Sequence, residues 1–155
     1  MSEATSTERT RLKCSEIMTT NVQTASRETS LRELSVLMRD GDMGAVPVVE
    51  AGKLVGIVTD RDIVVRGLAE GMTAESPLGD VMTTDLVTVS PDSFVFEAIR
   101  LMGDKQIRRI AVADADGKLA GIISMADVAL QTEDEREIAE AMEEISSGPG
   151  FWGKS

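Results

Sequence analysis

Histidine and tyrosine are absent from this 155-residue chain, and cysteine and tryptophan occur once each. Without histidine, Ser–His and Cys–His nucleophile pairs and the common His-containing zinc sites are excluded. The single Cys14 can close no internal disulfide and build no thiolate cage. With no base to activate it, it reads as an idle thiol in a reducing, cytoplasmic setting. Four aromatic residues, two of them at Phe151 and Trp152, are too few for a base-stacking platform. Cations are also scarce, 16 Lys and Arg against 27 Asp and Glu, and a net charge of −11 has the wrong sign for a nucleic-acid surface. No apolar run approaches the roughly 20 residues that span a bilayer, and the N-terminus has no apolar secretory core. A carboxylate pair such as Asp60 and Asp62 stands without histidine or a metal-ligand cluster, so the chain is expected not to be an enzyme.

What the chain does have, it has twice. GKLVGIVTDRD (52–62) returns as GKLAGIISMAD (117–127), displaced by 65 residues. IMTTNVQT (17–24) returns as VMTTDLVT (81–88), and LRELSVLM (31–38) lines up with VFEAIRLM (95–102), both displaced by 64. The one-residue change falls in a turn, where Glu50-Ala51-Gly52 faces Asp114-Ala115-Asp116-Gly117. A repeat that keeps its length through its regular elements and slips only in a hairpin is two copies of one structural unit.

Punctuation and periodicity divide the chain into a disordered polar start (1–14), repeat one (15–71), a Gly- and Pro-marked linker (72–80), repeat two (81–131) and an acidic end (132–155). In repeat one, Ser30-x-x-Glu33 is a capping box before a helix whose Leu31, Leu34, Leu37 and Met38 share a face. AVPVV (45–49) and LVGIV (54–58) form a hairpin, followed by a helix with Ile63, Val64 and Leu68 apolar that stops near Gly71. Repeat two predicts a strand at 86–89, a helix at 94–104, strands at 110–113 and 119–123, and a helix at 125–131. The fold class is α/β (α+β). Each repeat is strand–helix–strand–strand–helix, and pairing the two through their sheets is the economical way to cover their exposed faces.

The acidic stretch 133–148 carries seven acids and one Arg. Ile138, Met142 and Ile145 recur at helical spacing, which fits a solvated helix packed on the core or a contact with a partner. The tail with Phe151 and Trp152 reads as a frayed end or a docking element. Asp114-x-Asp116-Gly117 resembles the start of a calcium loop, but Met125 stands where that loop needs Glu, so it reads as a turn.

Gly56-Ile57-Val58-Thr59-Asp60-Arg61-Asp62 matches Gly121-Ile122-Ile123-Ser124-Met125-Ala126-Asp127 at a strand running into a helix. Ser/Thr-x-x-Asp there is a helix-capping box. The same geometry offers N–H groups and a hydroxyl to a phosphate, and a carboxylate to the vicinal hydroxyls of a ribose. Capping and binding do not exclude each other.

These residues resemble a pair of cystathionine β-synthase (CBS) domains, a Bateman module, over roughly residues 15–131. The resemblance rests on the VMTT-type openings, the AVPVV and IAVAD strands, and the GIVTDRD and GIISMAD endings. TDRDIVVRGLAEG (59–71) is most similar to small bacterial proteins made of little more than one such pair. The resemblance implies two clefts related by a pseudo-twofold axis, an adenosine-containing ligand, and a flat homodimer of stacked pairs. By it, Asp62 and Asp127 each hold a ribose, with Thr59 and Ser124 near phosphate. Crosswise construction brings Thr83, Ile110 and Val112 to Asp62, and Thr19, Val46 and Val48 to Asp127, the apolar groups sandwiching adenine.

The copies differ in charge. Arg108 and Arg109 precede the middle strand of repeat two, where repeat one has Gly44 and Ala45, and Arg61 faces Ala126. The resemblance implies that Arg61, Arg108 and Arg109 converge on the Asp62 cleft. That cleft is then expected to take AMP, ADP or ATP ahead of NAD or S-adenosylmethionine. The Asp127 cleft is expected to be empty, weaker, or filled by a less anionic adenosyl compound. Alternatively, the two arginines are solvated or pair with an acid such as Asp60. Two functions follow: a non-catalytic nucleotide sensor read by an unknown protein partner, or a ligand-free interaction module. Neither involves nucleic acid or membrane.

Overall fold

The computed structural model describes residues 12–131, 139–140 and 142–145. It shows mixed α and β structure in two units that do not coincide with the two sequence repeats. One unit comprises residues 12–22, 87–115 and the described part of 120–145, and the other Gln23–Leu86 with Asp116–Leu119. The opening segment of each repeat therefore folds with the body of the other. No helix among the described residues is long and apolar enough to cross a membrane.

The second unit is built on helix α2 (Leu31–Gly41) and the strands β1 (Ala45–Glu50) and β2 (Lys53–Thr59). The Ser30 side chain accepts from the Glu33 N–H at 3.1 Å, the capping half of the expected box. Leu31, Leu34 and Met38 face a core that also holds Val46, Val48, Val58, Leu78, Val81 and Met82. The strand expected before α2 is reduced to one parallel bridge, Ala25 to Val48. The β1–β2 hairpin closes through Ala51 and Gly52, both left-handed at φ 51° and 80°. A two-residue turn of this hand favours Asn-Gly, and alanine there is strained. Replacing Ala51→Asn is expected to stabilise the chain by about 1 kcal/mol, read as a higher urea midpoint at unchanged slope.

After β2 the expected helix is irregular. A single turn, α3 (Asp60–Asp62), runs into a π-helical stretch, Ile63–Gly67, and a 3-10 turn, Leu68–Glu70. Gly67 sits where a Cβ would lie 3.3 Å from Leu31 Cδ1, so this stretch approaches α2 through backbone. Its apolar side chains do not all bury: Val64, Val65 and Leu68 are 57%, 45% and 59% exposed.

The first unit repeats the plan with α4 (Val95–Lys105) and a three-stranded sheet. Its order is β3 (Thr88–Val89), β4 (Arg109–Ala113), β5 (Leu119–Ser124), with β3 parallel to β4. Helix α5 (Met125–Gln131) follows β5. The helices α2 and α4 end alike, on left-handed Asp42 and Gln106, with the next N–H bonding back to Met38 and Met102 carbonyls.

Residues 12–14, assigned from sequence to the disordered start, are paired instead. The Val95 N–H donates to the Leu12 carbonyl at 2.7 Å and the Cys14 N–H to Ser93 at 2.8 Å. Cys14 opens the short helix α1 (Cys14–Ile17) and is fully buried. Burial, with Glu97 nearby, pushes its thiol up to about 11, so it stays protonated at neutral pH. Of the C-terminal apolar positions, Ile145 is 3% exposed in this unit's core and Met142 is exposed. Ile138, Phe151 and Trp152 lie outside the described residues.

Candidate functional site

Each strand-to-helix junction forms the reciprocal box that its sequence predicts. The Asp62 N–H donates to Thr59 Oγ1 at 3.2 Å, and the Thr59 N–H donates to Asp62 Oδ2 at 2.9 Å. In the other unit, the Asp127 N–H donates to Ser124 Oγ and the Ser124 N–H to Asp127 Oδ2, both at 3.1 Å. Capping thus engages one carboxylate oxygen of each aspartate and leaves the other outside the box. All four residues are partly exposed, so the junctions are reachable from solvent.

The motif glycines explain how each junction acquires its neighbour. A Cβ on Gly121 would lie 2.7 Å from the Thr19 carbonyl oxygen and 2.9 Å from the Met18 side chain. A Cβ on Gly56 would lie 2.8 Å from Met82 Sδ and 3.0 Å from the Thr83 carbonyl oxygen. Only glycine lets the opening segment of the opposite repeat lie that close. It does so as a one-rung ladder in each unit, Thr19 with Ile122 and Thr83 with Ile57. Thr19 therefore lies in the unit of Asp127, and Thr83 in the unit of Asp62.

A second matched contact ties the start of each middle strand to the same junction. The Met125 N–H donates to the Arg108 carbonyl at 3.0 Å, as the Asp60 N–H does to Gly44 at 3.0 Å. This places Arg108 and Arg109 beside Ser124. The three line a cavity of about 510 Å³ with Met125, Ala126, Ala129 and Met142, all within one unit. Arg61 and Asp62 belong to the other unit. Among the described residues neither Arg108 nor Arg109 forms an ion pair, and both side chains are exposed. Asp60 Oδ1 accepts from the Arg61 N–H at 2.8 Å.

The junction in the Asp62 unit has the opposite character. Where the cavity has Arg108 and Met125, the matching positions are Gly44 and Asp60, and a Cβ on Gly44 would lie 3.3 Å from Asp60 Oδ2. Arg66 also enters, unexpected from the motif. Its Nη1 lies 3.4 Å from Thr83 Oγ1 and 3.9 Å from Asp62 Oδ1. The sequence does carry a signal for it, since Asp62 and Arg66 are four apart on a helix.

The apolar wall requires a correction too. Val46, Val48 and Val112 are 0% exposed and Ile110 1%, each within the core of its own unit. Their side chains are committed to the core and present nothing to a ligand. Alternation along the strand turns Ala45, Pro47 and Val49, and Arg109, Ala111 and Ala113, to the other face.

A CBS domain profile matches residues 14–68 and again 78–131, and the chain belongs to the CBS domain family. It is 38% identical over 129 residues to the CBS domain-containing protein YhcV of Bacillus subtilis, covering 83% of this chain and 91% of that one. Among solved structures, CBSX2 in complex with AMP aligns at 28% identity and a TM-score of 0.70, over 77% of this chain and 94% of the other. The CBS domain pair of protein MJ0100 in complex with 5′-methylthioadenosine and S-adenosyl-L-methionine aligns at 25% identity and 0.68, over 76% and 93%.

Proposed function

We propose that this chain is a non-catalytic regulatory module that binds an adenine nucleotide, AMP, ADP or ATP, in the Arg108–Arg109 cavity. The observation that carries this reading is a pair of exposed guanidinium groups, without ion-pair partners among the described residues, beside a cavity of about 510 Å³. That volume falls within the range of about 300–1,000 Å³ typical of small-molecule sites. Phosphate sits against Arg108, Arg109 and the Ser124 hydroxyl through charge-assisted bonds. Asp127 accepts from the ribose hydroxyls with the oxygen its cap leaves outside, and Thr19 shares its unit. The AMP and adenosyl ligands held by two structural neighbours support the ligand class.

The Asp62 junction, with Thr59, Arg61, Arg66 and Thr83, is then a second site of different preference. Asp60 disfavours an anion at the position where the other junction has Met125. A neutral or cationic adenosyl compound such as S-adenosylmethionine suits it better than a phosphate. Occupancy regulates only as far as ligand affinity differs between two conformations. The exposed Val64, Val65 and Leu68 suit a homodimer with a second copy.

A thermal-shift series with AMP, ADP, ATP, NAD and S-adenosylmethionine tests this on the native chain, Asp62→Ala and Asp127→Ala, each against its own ligand-free baseline. At 100 times its dissociation constant a ligand stabilises by about 2.7 kcal/mol. Asp127→Ala is expected to remove the AMP response and Asp62→Ala to keep it. A flat response across the panel supports the ligand-free interaction module instead. That reading draws on both Thr/Ser–Asp boxes being complete helix caps without any ligand.

A further inference from the structure

The helical residues 142–145 reach back onto the unit that holds the arginine cavity. Ile145 is 3% exposed in that unit's core, and the Glu144 carbonyl accepts from Gln106 Nε2 at 3.5 Å. Met142, 43% exposed, forms part of the cavity wall. Gln106 is the left-handed residue ending α4, two positions before Arg108. One helical turn thus touches both the cavity and the loop that carries its arginines.

The cavity divides into a charged and an apolar part. Arg108, Arg109 and Ser124 supply the first. Of its larger apolar side chains, Met125 is only 6% exposed, which leaves the Met142 thioether as the accessible one. A ligand that is anionic at one end and flat and apolar at the other needs both parts. A polarizable, unbranched thioether is well suited to lie against an aromatic base.

We infer that Met142 is a ligand-contacting residue, and that the turn 142–145 is the element through which cavity occupancy is sensed elsewhere. Ligand held between the arginines and the thioether stabilises the docked turn, and docking raises ligand affinity by the same factor. This rests on the reading of the cavity as a nucleotide site. It goes further in assigning the base contact and the responding element to the acidic C-terminal stretch.

Hydrogen exchange across 139–145 and AMP titration, on full-length native protein and Met142→Ala, test the inference. AMP is expected to slow exchange in 139–145 of the native chain by about tenfold. Met142→Ala is expected to bind AMP about two- to tenfold more weakly and to lose that protection. Inorganic phosphate, which lacks a base, should bind both proteins equally. Equal AMP affinity in both proteins, or unchanged or faster exchange on AMP addition, overturns the inference while the nucleotide site stands. If AMP does not bind the native chain at all, the site and the inference fall together.

Discussion

The double variant Arg108→Ala/Arg109→Ala is expected to lose about two orders of magnitude in AMP affinity while its affinity for adenosine is unchanged. Each charge-assisted contact to phosphate contributes about 1.5–3 kcal/mol, and every 1.4 kcal/mol is a factor of ten. Fully desolvated, the pair corresponds to about two to four orders of magnitude. Both guanidinium groups are exposed, which places the expected loss at the lower end. Exposure also makes the contact salt-sensitive, since screening acts over about 8 Å at physiological ionic strength. The native preference for AMP over adenosine should therefore shrink as salt is raised. Calorimetric titration at two salt concentrations reads both effects. If Arg61→Ala abolishes AMP binding and the double variant does not, the phosphate lies at Asp62 and not in the Arg108–Arg109 cavity.

The second large effect is on stability. Gly121→Ala is expected to destabilise the chain by about 2 kcal/mol, the cost of forcing a methyl into a packed site. For a protein of this size that corresponds to roughly 5 °C or more in Tm. The offending atom is a backbone oxygen, Thr19 O at 2.7 Å, and the ladder rung there holds two hydrogen bonds of 2.9 and 3.0 Å. Neither can retreat without opening the rung. Gly56→Ala should cost less, because its nearest contact, at 2.8 Å, is the flexible end of Met82. A methyl at Gly52 meets nothing within 4 Å and costs only the strain of φ 80°, about 1 kcal/mol. An equal loss at all three positions in thermal denaturation would show that the close approach of Thr19 does not matter.

These two effects mark what was legible in the sequence. The duplication, both hairpins and both Thr/Ser-x-x-Asp caps were legible because each is local, set by turn chemistry and by spacings of three and four. The partner of Gly56 and Gly121 was not visible as a contact. It is a strand segment from the other repeat, brought in by pairing distant in sequence. The buried face of β1 was misassigned for a different reason. AVPVV is apolar at every position, so alternation cannot say whether Val46 and Val48 or Ala45 and Pro47 face the core. The placement of the arginines depended on a single backbone bond, Met125 N–H to Arg108, that no residue pattern announces. Arg66 was within reach, four residues after Asp62, but only a helix already known to continue past Asp62 makes it a neighbour.

The exchange of opening segments has a consequence for synthesis on the ribosome. Almost all of the Gln23–Leu86 unit is contiguous, so its strands, α2 and the rung from Ile57 to Thr83 have emerged soon after residue 86. Of residues 12–22, translated earlier, Leu12 and Cys14 wait for Val95 and Ser93, and Thr19 finds Ile122 only when repeat two is nearly finished. Residues 12–22 are thus made before the Gln23–Leu86 unit and secured after it. In the interval Ile17 and Cys14, both destined for burial, remain without their core.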